Sequence, residues 1–187
     1  MQTLHLHPQN PQQRLLQQVV SALKDGKIIA YPTDIGYALL TDLHAKAAIE
    51  KIGRIEQVLH QDAHTLLCQN ISDMAKYADI NNAQFRHIKN AGNDTRFVLT
   101  ANKEVPKQLI NKNKNIGIQQ VNSPLLNALL EMLDGAIVMH ALNPELIQTD
   151  TPYDIEDLLD RQIDLLVHVD AIEISDITTD DLTELDA

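Results

Sequence analysis

Apolar positions recur along this chain in two alternating rhythms. Between residues 11 and 25, Leu15, Leu16, Val19, Val20 and Leu23 keep helical spacing behind Pro11, which predicts an amphipathic helix stopped at Gly26. "KIIAYP" then predicts a buried strand ended by Pro32. Residues 44–57 set Ala48, Ile49, Ile52 and Ile55 on one helical face and direct Lys51 and Arg54 elsewhere. "HTLLCQ" predicts a short strand, "ISDMAKYAD" a helix with Ser72 as its cap, and "NNAQFRHIKNAG" a helix ending at Gly92. Further on, "TRFVLTAN" and "NIGIQQV" predict strands, separated by a turn and helix at "KEVPKQLI". "SPLLNALLEMLDG" predicts a helix capped by Ser123 with Pro124 in its first position. "AIVMHALN", "DIEDLLDRQ" and "IDLLVHVD" complete the series as strand, helix and strand. Such alternation predicts an α/β fold, a single-domain twisted open mixed sheet with helices packed on it. Ligands of open α/β sheets lie beyond the strand ends, where "PTDIGY" and "HALN" fall.

Composition narrows the picture. A chain of 187 residues with 44% hydrophobic content holds one domain with a real core. The lone Cys68 excludes an internal disulfide and suits a reducing cytoplasm. Neither a signal peptide nor a membrane span is expected, and one cysteine with scattered histidines supplies no zinc set.

Charge is uneven under a net −11. From Lys76 to Lys114, eight basic side chains face three acidic ones, a local +5; from Glu145 to Ala187, fourteen acidic side chains face Arg161 alone, a local −13. This asymmetry predicts a domain over 1–175 and an acidic C-terminal tail over 176–187. It also makes Arg86, Lys89, Arg96, Lys103, Lys107, Lys112 and Lys114 candidate nucleic-acid contacts, against the alternative of ordinary solvated surface.

The candidate chemistry gathers at strand ends. Pro32 stiffens the chain so that Thr33 and Asp34 sit on a fixed turn; Gly36 admits close backbone approach, and Tyr37 is placed to cap a pocket. Hydroxyl and carboxylate together suit a small polar ligand, although a strand-end turn capped by Asp34 explains the same residues. Arg54 reaches a carboxylate or phosphate, or pairs with Glu50 on its own helix. Asn143 serves a ligand or starts the Asn143-Pro144 turn, and His140 transfers protons or is a structural histidine. Catalytic residues stay unassigned: there is no serine–histidine–acid set, no glycine-rich phosphate loop and no metal-binding pair of carboxylates.

The order of these pieces resembles the YrdC-like superfamily, especially its YciO-like branch, over roughly residues 10–180. "YPTDIGYAL", "RIEQ", "TLLCQNISDMAKYA", "TRFVLTANKEVPKQL", "NIGIQQVNSPLLNALLE" and "IVMHALN" carry the resemblance. It implies a twisted open sheet with a deep cleft. The catalytic branch makes threonylcarbamoyl-adenylate from threonine, bicarbonate and ATP for tRNA modification, and domains of this type bind double-stranded RNA. Pro32, Thr33, Asp34, Tyr37, Arg54 and Asn143 match the family's substrate-binding positions. Elsewhere the chain departs. The family's Lys-x-Arg is Arg54-Ile55-Glu56, and the proline that follows it is missing from "VLHQDAH". Its Gly-x-Arg is Gly117-Ile118-Gln119, and its Ser-Thr-Ser-Ala-Asn loop is Met139-His140-Ala141-Leu142-Asn143. A C-terminal arginine on the nucleotide side has no counterpart.

These departures fall where ATP phosphates would lie, and Glu56 would repel them. The expectation is a divergent YrdC/YciO-like protein that binds double-stranded RNA or a nucleotide in a cleft, related to tRNA threonylcarbamoyladenosine modification, with a degraded ATP site. The alternative is an active synthase using threonine, bicarbonate and ATP with Mg2+, the only case that calls for a cofactor. A third reading is a non-catalytic interaction module that docks a partner on the acidic end.

Overall fold

The structure, a computed structural model, describes residues 1–60, 64–170 and 172–186. Residues 61–63 of the "VLHQDAH" segment and Ala187 of the expected tail lie outside them.

Among the described residues, nine strands form one mixed sheet. In chain order they are β1 (Gln2–His5), β2 (Ile29–Thr33), β3 (Gly36–Asp42), β4 (His64–Cys68), β5 (Thr95–Thr100), β6 (Asn115–Gln120), β7 (Ile137–Ala141), β8 (Leu165–His168) and β9 (Thr178–Asp181). Across the sheet the order is β1-β8-β2-β3-β7-β4-β6-β5-β9. β8 runs parallel to both β1 and β2, and β6 and β9 lie parallel to β4 and β5; the remaining pairs are antiparallel.

Helices cover the two faces unequally. α1 (Gln13–Lys24) buries Leu16, Val19, Val20 and Leu23, and α5 (Pro124–Met132) buries Leu125, Leu126 and Leu129. Both join Ile29, Leu39, Ile137 and Leu166 in the first core cluster, together with Ile155 and Leu159 of α6 (Tyr153–Leu159). On the other side, Met74 of α3 (Ile71–Met74) and Ile88 of α4 (Asn82–Asn90) pack with Leu66, Phe97, Leu99, Ile118 and Val138. α2 (Lys46–Ile52) feeds both clusters through Ile52 and Ile49. Since strand side chains alternate, Arg96 and Val98 of β5 and Gly117 and Gln119 of β6 point to the face of the first cluster. No described helix is long and apolar enough to cross a membrane.

Local chemistry explains where expectation and structure part. Pro32 does not end its strand: β2 runs on through Thr33, paired with β3. β8 pairs with β2 only at Ile29 and Ala30, so the missing N–H of Pro32 falls beyond that ladder. The segment after Asp34-Ile35 returns as β3, buried through Thr41 and therefore without the alternation that marks a strand. The helix expected over 44–57 covers only Lys46–Ile52, leaving Arg54 exposed on a turn. Asn70, not Ser72, caps α3, because its extended backbone lets the side chain accept from Asp73 N–H at 2.9 Å. "KEVPKQLI" yields a single 3-10 turn, Lys107–Leu109. β1 and β9 were not expected, and β9 comes from the segment set apart as an acidic tail. It pairs with β5, while Leu182 is buried and its carbonyl accepts from Gln84 Nε2 at 2.7 Å.

Candidate functional site

Two regions hold the residues singled out by sequence. The first is the β2–β3 hairpin, whose polar groups are bound up in the fold. Thr33 is buried; its hydroxyl donates to Gly36 O at 2.6 Å and accepts from Ile35 N–H at 3.2 Å, closing the two-residue turn. Gly36 has φ +100°, and a Cβ there would meet Thr149 O and Oγ1 at 2.8 Å. Tyr37 is buried rather than capping a pocket: its hydroxyl donates to Val167 O at 2.9 Å and accepts from Val169 N–H at 3.0 Å. Burial pushes the Tyr37 phenol above its ordinary pKa. Pro32 is buried opposite Tyr37 in the β2–β3 ladder.

Asp34 is the hairpin's half-buried acid. Its Oδ2 accepts from Asn122 N–H at 3.4 Å, just ahead of α5, and its carbonyl accepts from Ser175 N–H at 2.8 Å. Desolvation raises its carboxyl pKa and the nearby Asp94 adds to the rise, against lowering by the backbone amides of Asn122 and Ser123. Asn143 spends its groups on a turn: its N–H donates to Gln57 O at 2.7 Å, and its Oδ1 accepts from Glu145 N–H at 3.0 Å. Arg54 and Glu56 are exposed on the turn leading to Gln57.

The second region is an open cavity of about 1030 Å³ over the starts of β4 and β6, Arg96 and Val98 of β5, and β9. Arg96 forms part of its floor. Its Nε donates to Thr65 Oγ1 at 2.8 Å and its Nη2 to His64 O at 3.2 Å. The guanidinium can lie flat there because residue 117 is glycine; a Cβ would fall inside it. Beside Arg96 in register is Gln119, 2% exposed, with no hydrogen-bond partner for Oε1 among the described residues. The resemblance implies an arginine at that position, and a neutral amide stands there.

The opposite wall is the 111–115 loop. Asn111 Oδ1 accepts from the N–H groups of Asn113 and Asn115 at 2.9 and 3.0 Å, and Lys114 takes φ 63°. That tight turn holds Lys112 at the cavity rim. Among the described residues, His60, His64 and Asp181 supply the remaining titratable groups of the wall.

Behind His64 stands His140, fully buried on β7. The two Nδ1 atoms are 3.0 Å apart, and His140 Nε2 is 2.9 Å from Thr41 Oγ1. Burial first, and His64 second, lower the pKa of His140 to about 3. This is the hydrogen-bonded histidine that was one of its two expected readings.

Of the expected basic contacts, only Arg96 and Lys112 line the cavity. Arg86 and Lys89 are exposed on α4, across the sheet from Arg96, and Lys103, Lys107 and Lys114 are exposed outside the described walls. The stretch 76–114 therefore does not make one basic face. None of Pro32, Thr33, Asp34, Tyr37, Arg54 or Asn143 is among the described walls either. His60 and His64 escaped the sequence because each is a lone histidine; only the β4–β7 register joins His64 to His140.

Comparison with known proteins agrees with this architecture. Residues 21–182 match the Sua5/YciO/YrdC family, described under telomere recombination. The Escherichia coli (strain K12) protein YciO is 39% identical over 98% of this chain and 91% of its own length. Its crystal structure superposes with a TM-score of 0.87. A threonylcarbamoyl-AMP synthase of Pseudoalteromonas translucida is 26% identical over 66% of this chain and 68% of its own. The Sua5 protein of P. abyssi, solved in complex with L-threonine, shares the fold at TM-score 0.83 and 15% identity, with 99% of this chain covering 55% of it.

Proposed function

The chain belongs to the Sua5/YciO/YrdC family, and from that premise we propose that it is a divergent, non-adenylating member that binds a nucleotide unit of RNA in the cavity floored by Arg96. The observation that carries this reading is the guanidinium itself, laid over Gly117 and hydrogen-bonded to Thr65 and to the His64 carbonyl in the floor of a cavity of about 1030 Å³. A preset planar cation suits a phosphate, and Lys112 at the rim adds a second charge. The reading places the protein beside tRNA threonylcarbamoyladenosine chemistry without its adenylate-forming step. Glu56 and Gln119 stand where the family pattern has cations, and His140 stands where it has a small hydroxyl-bearing loop.

Calorimetric titration with ATP, with threonine and with a short RNA at two salt concentrations tests this. RNA binding is expected, with a salt slope of about two phosphate contacts rather than the seven a continuous basic face would give. Micromolar ATP binding would overturn the reading.

The synthase reading has one observation in its favour, the similarity to a threonylcarbamoyl-AMP synthase. Pyrophosphate release that requires both threonine and bicarbonate, with ATP and Mg2+ present, would establish it. Thr33 and Tyr37 speak against it, since their hydroxyls are engaged within the fold.

A further inference from the structure

We propose that His64 is the proton-loaded residue of this cavity and His140 its neutral acceptor, so that an anionic ligand is captured more tightly as pH falls. The proposal rests on the reading that the cavity takes a phosphate-bearing ligand, and it adds how capture is regulated.

The argument begins with proton counting. Two Nδ1 atoms 3.0 Å apart share one hydrogen, so one imidazole donates and the other accepts. One proton added to the neutral pair makes a single imidazolium, and a further one is opposed because two imidazoliums in contact would leave a repulsive N–H to N–H approach. Position decides which ring. His140 has 0% exposure, and ionisation there would bury a charge. His64 is half-buried and lines the cavity, where solvent and a bound anion meet it.

The geometry accommodates that charge without rearrangement. With His64 doubly protonated, its Nδ1–H donates to His140 Nδ1, and His140 Nε2–H donates to Thr41 Oγ1 at 2.9 Å. In the neutral pair the same contacts run in either direction. Burial keeps the His140 pKa at about 3, so it stays neutral throughout the physiological range and is free to accept once His64 is charged.

Among the described residues, four charged or titratable groups share the cavity with His64, in addition to His140 behind it. From β5, Arg96 donates to the His64 carbonyl; from the loop ahead of β6 comes Lys112, from the segment after α2 His60, and from β9 Asp181. Arg96 and Lys112 oppose a further positive charge, and Asp181 favours it. A phosphate entering the cavity tips the sum toward protonation, so binding takes up a proton and, reciprocally, acid strengthens binding.

Nitrogen-detected imidazole NMR across about pH 5 to 8 reads each ring directly, without any ligand. The expected result is an imidazolium forming at His64 while His140 stays neutral. Alongside it, binding of a single-stranded RNA trinucleotide, whose phosphodiesters keep their charge over this range, is measured at about pH 5.5 and 7.5. Affinity at the lower pH should be at least about threefold higher, and His64→Gln should collapse that ratio toward one. Charge appearing on His140 first, a His64 that does not titrate, or an undiminished ratio in His64→Gln would each overturn the proposal. If the rings titrate as described but no trinucleotide binds at any pH, the cavity reading itself fails and the ligand half of this proposal falls with it.

Discussion

The guanidinium of Arg96 lies directly against the Cα of Gly117, in space that any side chain at 117 would occupy. Gly117→Ala is therefore expected to lift Arg96 off Thr65 Oγ1 and His64 O. Stability should fall by about 1–3 kcal/mol, and RNA binding should fall with it. Denaturant unfolding and calorimetry on the same variant check both. A variant that unfolds like the parent and keeps its RNA affinity would show that the contact is incidental.

The Tyr37 hydroxyl bridges β3 to the β8 region through Val167 O and Val169 N–H. Tyr37→Phe leaves that carbonyl and amide unpaired in a buried setting, at a cost of about 1–3 kcal/mol. A thermal shift of several degrees downward is expected. If Tyr37 instead contacted a ligand, the apo protein would melt unchanged and only binding would suffer.

His140 makes stability depend on acid. Its folded pKa, about 3, lies below the ordinary value of 6.5, so the unfolded chain binds a proton that the native state refuses. The stability it supports is present above about pH 6.5 and is lost as pH falls from there toward 3, with a slope of up to ~1.4 kcal/mol per pH unit. Unfolding free energies measured across that window should decline, and His140→Phe should flatten the decline. Equal slopes in the two proteins would show that His140 does not carry the acid sensitivity.

Burial pushes the Cys68 thiol up to about 12, and Asp73 adds to the shift. Cys68 is 2% exposed in the second core cluster. It should resist alkylation at about pH 8 while the protein is folded and react readily in denaturant. Mass spectrometry after brief exposure to iodoacetamide decides this; stoichiometric labelling of the native protein would contradict the packing.

The architecture was legible wherever a segment buries one face and leaves the other wet. α1 and α5 announce themselves through full helical periods and, in α5, through Ser123 and Pro124. β3 was illegible because it follows its partner after only two residues, so the hairpin reads as a single strand and its end. β1 and β9 are edge strands, and QTLH and TTDD carry too little apolar pattern to distinguish strand from loop. At the site, Arg96 was found as one cation in a basic run, but its face was set by the alternation of Phe97 and Leu99 into the core. The partnership of His64 and His140 spans 76 positions and exists only through strand register. "PTDIGY" was conspicuous for a structural reason: Thr33 closes the hairpin turn, and Gly36 and Tyr37 tie it to Thr149 and β8.

The pairing of β1 with β8 also constrains the order in which the molecule assembles. Gln2–His5 finds its ladder only at Leu165–His168, which in turn slots between β1 and β2. An emerging chain can build the β2–β3 hairpin early, yet β1 must wait until Leu165–His168 has been synthesised. Until then the open flank of β2 stays unsatisfied, a slow and exposed interval of the kind long-range parallel pairing imposes. Nascent molecules of this protein therefore depend on late closure at that seam, and mutations that weaken β8 should lower the yield of folded protein before they alter anything at the cavity.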